Sequence, residues 1–303
     1  MPDLSVDLGF HVLKNPVIAA SGTFGYGMEF QPFLDLSRLG GFVVKGLYFD
    51  PRPGNPPPRL KETASGLINA IGLQGIGVER FADEVLPGLQ GLDTAVIINV
   101  CGNRDEEYAA VVEYLNGRDG ITAYELNVSC PNVEQEGRCP AMYPDATYRI
   151  VNLVKRVSRR PLITKLTPNA ANITEVALSA QEAGSDALSL VNTFLALAVD
   201  AETRRPALAN VFGGLSGPAI KPLALRCVYQ VAARVSIPVI GMGGIMTGTD
   251  AAEFLISGAS AVQVGTANFV DPQATLNIIS ELEEFARRQG LDKISELTGT
   301  LKT

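Results

Sequence analysis

The sequence has no tryptophan, a single histidine, and no apolar run approaching the ~18 residues that a membrane helix needs. The histidine, His11, lies in a predicted N-terminal hairpin, LSVDLGFHVLKN, where we expect it at the surface. A site with several histidine ligands is therefore excluded. A Ser-His-Asp triad is not expected either, because a hairpin histidine would have to reach a substrate.

Cysteine is also scarce, and its spacing does not match that of a metal site. The four cysteines, at positions 101, 130, 139 and 227, form no CxxC pair, so we expect neither a zinc site nor an iron–sulfur cluster within this chain. Scattered cysteines are typical of the reducing cytoplasm. No N-terminal segment resembles an export signal, which gives the same prediction of a cytoplasmic protein.

Positive charge is in the minority. The chain has 25 Lys and Arg against 32 Asp and Glu, a formal net charge of −7. Nucleic-acid binding requires a basic face, so nucleic acid is not expected as a main partner. No GxGxxG fingerprint occurs, which weighs against an open, doubly wound dinucleotide-binding sheet.

What the sequence does have is alternation. Eight short, continuously apolar runs are each followed by a helical pattern, as expected for parallel strands buried on both faces. The predicted strands are 15–21, 41–46, 94–100, 121–129, 161–167, 186–192, 237–244 and 260–266. The predicted helices are 29–39, 78–89, 105–116, 145–158, 172–183, 218–235, 248–257 and 273–289. Eight such units predict one α/β domain over residues 1–303, a (β/α)₈ TIM barrel with an N-terminal hairpin and long rim loops.

Three strand-to-helix connections are unusually long: those after strands two, four and six, at 46–75, 130–145 and 193–217. In a (β/α)₈ barrel all three lie at the carboxyl ends of the strands, where active sites are built. Long ordered loops usually serve function.

Polar residues follow the strands at this same end. Lys45 and Lys165 are lysines that a barrel mouth would bury, which predicts a bound negative charge, although either could instead be a structural lysine paired within the chain. A single asparagine at a strand end is often only a turn former. Here Asn99, Asn127 and Asn192 occupy matching positions, and a loop adds a fourth, Asn69. Carboxamides present a donor beside an acceptor, which complements a flat ligand edge such as a pyrimidine or an isoalloxazine.

Glycines follow strands seven and eight, in GMGG and VGT. These positions are the usual phosphate site of such barrels, although either stretch could also be a tight turn. Lys165 suits a flavin, because a fixed ammonium favours the negatively charged reduced form. Cys130 alone could be a small buried hydrophobe. At the rim beside Asn127 it is the best available proton acceptor, and Ser129 is a weaker competitor.

Several longer motifs add a resemblance. NVSCPNV, NTFLALAVDAETRRP, GGLSGPAIKPLALR, IPVIGMGGI and GASAVQVGTANF together resemble dihydroorotate dehydrogenase of class 1 over essentially the whole chain. SGTFGYGMEF resembles the NAD-linked (type B) subclass. That resemblance implies oxidation of dihydroorotate to orotate in pyrimidine synthesis, with FMN on this chain. It also implies a partner subunit that carries FAD and an iron–sulfur cluster and passes electrons to NAD, in a heterotetramer of two catalytic and two partner chains.

The resemblance also implies roles for matching positions. Cys130 resembles the base that removes a proton from the substrate ring. The residues that resemble orotate contacts are Lys45, Asn69, Ile71, Gly72, Leu73, Asn127, Asn192 and Thr193. The residues that resemble FMN contacts are Ser21, Lys45, Gly46, Asn99, Asn127, Lys165, Val191, Gly217, Gly243, Gly244, Gly265 and Thr266.

The chain departs from the family pattern in two places. Gly75 and Ile76 stand where the family usually has Asn-Pro, and residues 134–145 differ from the usual lid, which leaves the role of Cys139 open. Three other functions remain candidates: a homodimer reducing an acceptor such as fumarate, a related flavin barrel acting on another pyrimidine, including a base in RNA, and a flavin-binding barrel without catalysis.

Overall fold

A closed barrel of eight parallel strands organises the protein, in a computed structural model that describes residues 1–129 and 139–303. Each strand pairs with the next along the chain, and the eighth pairs with the first, Val264 lying opposite Ala19. The barrel strands one to eight are Val17–Ala19, Gly41–Val43, Ala95–Val100, Ala123–Leu126, Leu162–Lys165, Ala187–Leu190, Val239–Met242 and Ala261–Val264. The predicted fold and all eight predicted strands are confirmed.

The strands form where β-branched and other apolar residues run without interruption, because both faces of each strand are covered. Every residue of the eight strands is buried. The helices that cover the barrel are Val78–Arg80, continued by a π-helical Phe81–Val85 and by Leu86–Leu89, then Asp105–Leu115, Pro144–Val157, Ile173–Glu182, Lys221–Ala232, Gly248–Ile256, Ala267–Val270 and Ala274–Gln289.

The predicted helix at 29–39 is wrong. The structure has two short 3₁₀ turns there, Met28–Phe30 and Leu36–Arg38. Pro32 lies between them, and proline inside a helix removes a hydrogen bond and clashes with the preceding turn. Asp35 then starts the second turn by accepting a hydrogen bond from the backbone N–H of Ser37, at 2.9 Å. Further 3₁₀ turns are Pro140–Met142, Pro218–Ile220 and Ile294–Leu297.

Smaller sheets lie outside the barrel. Val6–Asp7 and Val12–Leu13 form the predicted N-terminal hairpin, with His11 exposed. An antiparallel sheet in the order Phe194–Leu197, Phe212–Ser216, Gly66–Asn69 and Leu60–Thr63 joins the loops after strands two and six, and Val199–Asp200 pairs with Arg205–Pro206. In the described ranges, no helix is both long and apolar enough to cross a membrane.

Candidate functional site

Three of the four predicted asparagines lie in one hydrogen-bonded chain at the carboxyl ends of strands three, four and six. The Asn127 amide nitrogen donates to the Asn99 amide oxygen at 3.2 Å, and Ser129 Oγ donates to the Asn127 amide oxygen at 2.8 Å. Asn192 Nδ2 donates to Ser129 Oγ at 2.6 Å. The barrel therefore brings these amides together, as the strand-end positions predict, and the chain holds their orientations.

The chain of amides begins at a carboxylate that our sequence analysis missed. Glu125, in strand four, is fully buried, and its Oε1 accepts a hydrogen bond from Asn99 Nδ2 at 2.7 Å. Its Oε2 accepts from Ser189 Oγ at 2.9 Å and from Gln263 Nε2 at 2.6 Å. The signal was available, since Glu125 lies two residues before Asn127 and side chains two apart share one face of a strand.

Lys165 lies at the end of strand five, and only 4% of its surface is exposed. Its ammonium donates to Ser21 Oγ at 3.1 Å and lies 3.6 Å from Glu125 Oε1. Burial of Lys165 therefore does not require a bound anion, contrary to the prediction from sequence, because Glu125 already supplies a negative charge within the barrel.

Lys45 is different, and it is the stronger indication of an anionic ligand. Its side chain is half-buried, and no residue of the described part accepts a hydrogen bond from its ammonium. Burial lowers the pKa of Lys45 below that of an ordinary lysine, and the nearby Arg59 guanidinium lowers it further against the opposing charge of Glu29. A cation held in this way gains from a bound anion. Arg59 itself was absent from the sequence prediction.

Gly46 lies between Lys45 and the first amide of the chain. A Cβ at this position would lie 2.8 Å from Cys101 Sγ, 3.0 Å from Asn99 Oδ1 and 3.7 Å from a Leu73 methyl carbon. Only glycine fits such an approach without displacing its neighbours. Gly46 therefore lies close both to Asn99 at the barrel mouth and to Leu73, one of the residues that resemble orotate contacts.

The predicted substrate loop is anchored by the antiparallel sheet. Asn69 Nδ2 donates to the carbonyl of Gly214 at 3.2 Å, and the Ile71 carbonyl accepts from the backbone N–H of Asn55 at 2.9 Å. Gly72 and Leu73 both have positive φ, 74° and 51°, which is uncommon for leucine and fixes a sharp bend. Thr193 lies against the same sheet, packed on the backbone of Gly214.

The departure at Gly75 and Ile76 has a structural use. The backbone groups of Gly75 pair with those of Arg52, at 2.8 and 3.1 Å, and the Ile76 N–H donates to the Tyr26 hydroxyl at 3.2 Å. Proline at position 76 would have no N–H to donate. The loop is thus tied to the rim by bonds that an Asn-Pro pair could not fully make.

The predicted phosphate-binding glycines also lie together. A Cβ on Gly244 would be 2.8 Å from the Gly217 carbonyl, and one on Gly217 would be 3.6 Å from a methyl carbon of Thr266. Gly244 and Gly217 have positive φ, 75° and 94°. Side chains here would fill the space in front of the backbone, so this cluster can admit a phosphate close to its N–H groups. Gly243 and Gly265 flank it, and the Val191 N–H donates to Met242 nearby, at 3.1 Å.

The helix that follows strand seven does not leave its N-terminus open toward this glycine cluster. The N-terminus of Gly248–Ile256 is closed by a capping box between Thr247 and Asp250. The Asp250 carboxylate accepts from the N–H groups of Met246 and Thr247, both at 2.9 Å, and from Lys221 Nζ at 2.6 Å. These groups occupy the helix end, so Asp250 holds the loop of Gly243 and Gly244 rather than leaving the helix end open to phosphate.

Asp250→Asn is expected to destabilise the fold by about 1–2 kcal/mol at neutral pH. Burial alone would raise the pKa of Asp250. The hydrogen bonds from Lys221, Met246 and Thr247 outweigh burial, so the net effect lowers the pKa of Asp250 below 3.8. A carboxylate whose pKa is lowered by folding stabilises the fold at any pH above its pKa in the unfolded chain. This stabilisation is lost as the pH falls through its pKa in the folded chain. Urea unfolding should thus show that the free energies of unfolding of the wild type and the variant differ by a constant amount between pH 7 and 5. This difference should shrink below about pH 4. An unchanged difference at acid pH would contradict the charged cap.

The predicted base, Cys130, lies outside the described residues, as do positions 134–138 of the predicted lid. Its competitor Ser129 is buried, and its hydroxyl both donates to Asn127 and accepts from Asn192. Cys139 is buried, and its thiol donates to the Val128 carbonyl at 3.6 Å. The contact of Cys139 with the end of strand four indicates a structural position rather than a chemical one.

A separate cleft of about 480 Å³ opens between residues 48–52 and the start of helix Asp105–Leu115. Arg52 lies over the Tyr48 ring and donates to Asn103, which in turn donates to Glu107. Its polar groups bond one another, and it contains none of the predicted site residues. Within the described ranges, no group of three or more His, Cys, Asp or Glu side chains could hold a metal ion.

The chain is similar to known proteins over almost its whole length. A solved dihydroorotate dehydrogenase from Eimeria tenella, in complex with ferulenol, has the same fold, with a TM-score of 0.80 and 22% identity over 99% of this chain and 89% of that one. A Solibacter usitatus protein provisionally named dihydroorotate dehydrogenase A (fumarate) is 57% identical over 99% of both chains. A Geotalea uraniireducens protein named the catalytic subunit of dihydroorotate dehydrogenase B (NAD(+)) is 51% identical over 100% of this chain and 99% of its own.

A Bacteroides thetaiotaomicron protein with the same type B name is 48% identical over the full length of both chains. A family model described as dihydroorotate dehydrogenase matches residues 3–286. With relatives of this identity aligned from end to end, the chain belongs to the dihydroorotate dehydrogenase family.

Proposed function

We propose that this chain is a single FMN-binding barrel domain that oxidises dihydroorotate to orotate in pyrimidine biosynthesis. One observation carries the proposal: a chain of oriented amides lies at the same barrel mouth as Lys45. No described residue accepts a hydrogen bond from the Lys45 ammonium. Orotate is planar, carries a carboxylate and has ring carbonyl and N–H groups side by side. Amides and an ammonium are its chemical complement.

The residues at the mouth also fit FMN. The glycine cluster leaves space in front of its backbone where a phosphate would bind, and the Lys165 ammonium, paired with Glu125, lies next to the amide chain. When bound, FMN supplies the acceptor for the hydride that leaves the substrate. The residues that we propose to contact it are Ser21, Lys45, Gly46, Asn99, Asn127, Lys165, Val191, Gly217, Gly243, Gly244, Gly265 and Thr266.

The substrate is proposed to lie between the amide chain and the bend at Gly72 and Leu73. Lys45 would pair with its carboxylate, and the amides would bind the ring edge. The proposed contacts are Lys45, Asn69, Ile71, Gly72, Leu73, Asn127, Asn192 and Thr193. Cys130, as thiolate, takes the proton from the ring carbon next to the one that gives up hydride, so that two hydrogens leave and a ring double bond forms.

The electron acceptor is proposed to be NAD, reached through a partner subunit with FAD and an iron–sulfur cluster, in a heterotetramer of two chains of each kind. The type B names of several relatives at about 50% identity support this. An exposed apolar face also suits subunit contacts: Leu60, Leu195, Leu197 and Phe212 are each about half exposed on the antiparallel sheet. A cytoplasmic location belongs to the same proposal and rests on the scattered cysteines.

A second candidate is a dihydroorotate dehydrogenase that reduces fumarate without a partner. The observation that favours it is the name of the 57% identical relative. The two candidates share the site, the cofactor and the oxidative half of the reaction. They differ only in what reoxidises the cofactor.

Steady-state assays of the lone FMN-loaded chain separate the two. We expect dihydroorotate to be oxidised with an artificial dye as acceptor, and turnover with fumarate or NAD to be at least about 100-fold slower. Addition of the partner subunit should restore the NAD reaction. Fumarate turnover equal to dye turnover would establish the partner-free enzyme instead, and no turnover with any acceptor would favour a barrel that binds flavin without catalysis.

A further inference from the structure

The buried carboxylate of Glu125 has no part in the proposed chemistry, yet it contacts four side chains from four other strands. Asn99, Ser189 and Gln263 each donate a hydrogen bond to it, and the Lys165 ammonium lies 3.6 Å away. A fully buried carboxylate is costly unless its charge is compensated. Filling the centre of the barrel with apolar side chains would avoid that cost.

An ionised carboxylate accepts hydrogen bonds and donates none, which gives it a directing effect. Asn99 must turn its Nδ2 toward Glu125, so its Oδ1 is left to face Asn127. Asn127 must then present Nδ2 to Asn99 and its own oxygen to Ser129. The orientations of the amides in this chain thus follow from the carboxylate at which it begins.

The charge of Glu125 has a second effect. The Lys165 side chain is 5% exposed, and its ammonium donates a hydrogen bond to the neutral hydroxyl of Ser21. Glu125 is the anion that faces this ammonium. The pair together contributes no net charge, whereas Lys165 alone would contribute a full positive charge to the proposed flavin site.

We propose that Glu125 is a positioning residue. It fixes the orientations of Asn99 and Asn127 and offsets the charge of Lys165, and it thereby sets how strongly the site favours reduced over oxidised flavin. This inference rests on the proposed FMN function for its second part. Its first part, the coupling of Glu125 to Lys165, concerns the protein without cofactor.

The coupling is tested by urea unfolding of the FMN-free chain in four forms: wild type, Glu125→Gln, Lys165→Met, and the double variant. Glu125→Gln should lower the urea midpoint by about 1 M, because it leaves a buried ammonium without a counter-charge. The double variant removes both charges and should recover at least half of that loss. Additive losses, or a double variant that fails to fold along with Glu125→Gln, would overturn the coupling. If Glu125→Gln fails to fold and the double variant folds, the coupling is upheld.

The effect on the cofactor is tested by redox titration of the FMN-loaded forms. Glu125→Gln should raise the affinity for reduced FMN, relative to that for oxidised FMN, by about tenfold. This corresponds to a rise of about 30 mV in the two-electron midpoint potential. The midpoint potentials of Lys165→Met and of the double variant should both be lower than that of the wild type. Ser189→Ala is the matched control, since its hydroxyl touches the same carboxylate and it should leave the potential unchanged.

An unchanged or lowered potential in Glu125→Gln would overturn the charge role. Orotate affinity gives a further readout: Glu125→Gln should weaken orotate binding about tenfold, because glutamine no longer dictates the direction of the amides. Orotate affinity equal to that of wild type would overturn the orienting role. If the wild-type chain binds no FMN, the proposed function fails, but the unfolding comparison still decides the coupling.

Discussion

Replacing Cys130 by alanine is expected to lower dihydroorotate turnover by about 10²- to 10⁴-fold while FMN remains bound. The reason is the lack of a substitute base. His11, the sole histidine, is exposed in the N-terminal hairpin, and the Ser129 hydroxyl is committed to Asn127 and Asn192. Anaerobic reduction of the bound flavin by dihydroorotate, followed in a stopped-flow instrument, measures this step directly.

Cys139→Ala is the matched control. Its thiol is buried against the Val128 carbonyl, so its loss should leave the rate of flavin reduction within about twofold of wild type. Cys130→Ser should keep partial activity that rises only at higher pH, because a hydroxyl is much harder to deprotonate than a thiol of pKa ~8.5. Full activity in Cys130→Ala would show that another group removes the proton.

Gly244→Ala is expected to weaken FMN binding by roughly 100-fold, so that the chain is purified without its yellow colour. The backbone at Gly244 has a φ of 75°, and an added Cβ would lie 2.8 Å from the Gly217 carbonyl and 2.9 Å from Lys221. The substitution therefore both strains the loop and fills the space proposed for the phosphate. Titration of the FMN-free chain with FMN, followed by flavin fluorescence, gives the affinity.

Gly258→Ala separates strain from ligand binding. Gly258 also has a positive φ, 112°, and its added Cβ would lie 2.6 Å from the Ala232 methyl. It lies in the turn before strand eight, at the opposite end of the barrel from the glycine cluster. We expect it to lose stability and keep its FMN affinity. Equal loss of FMN in both variants would mean that the phosphate site is elsewhere.

The barrel could be predicted from sequence because its strands are buried on both faces. Runs such as TAVIINV and PLITKLT have no alternation to misread, and each is followed by an amphipathic helix. The segment 29–39 was misread because its apolar residues have helical spacing, while Pro32 and the Asp35 turn determine the backbone. Local chemistry prevailed over periodicity there.

The site was predictable in part for a related reason. Asparagines and lysines at the ends of apolar strands are conspicuous, and barrel closure brings strand ends together. Glu125, Ser189 and Gln263 lie within strands, and their shared contacts appear only when the barrel closes and five strands face one centre. The sequence spacing places Glu125 on the same face as Asn127. It does not indicate that Gln263, 138 positions away, faces it.

The claim on which the account depends is that the polar groups of this one mouth bind a flavin nucleotide and dihydroorotate next to each other. The most direct measurement is the visible absorption of the purified, FMN-loaded chain during anaerobic addition of dihydroorotate. We expect the flavin band to bleach in proportion to the substrate added, up to one equivalent per FMN. A band that persists with excess dihydroorotate, in a chain that has retained its FMN, would contradict the account.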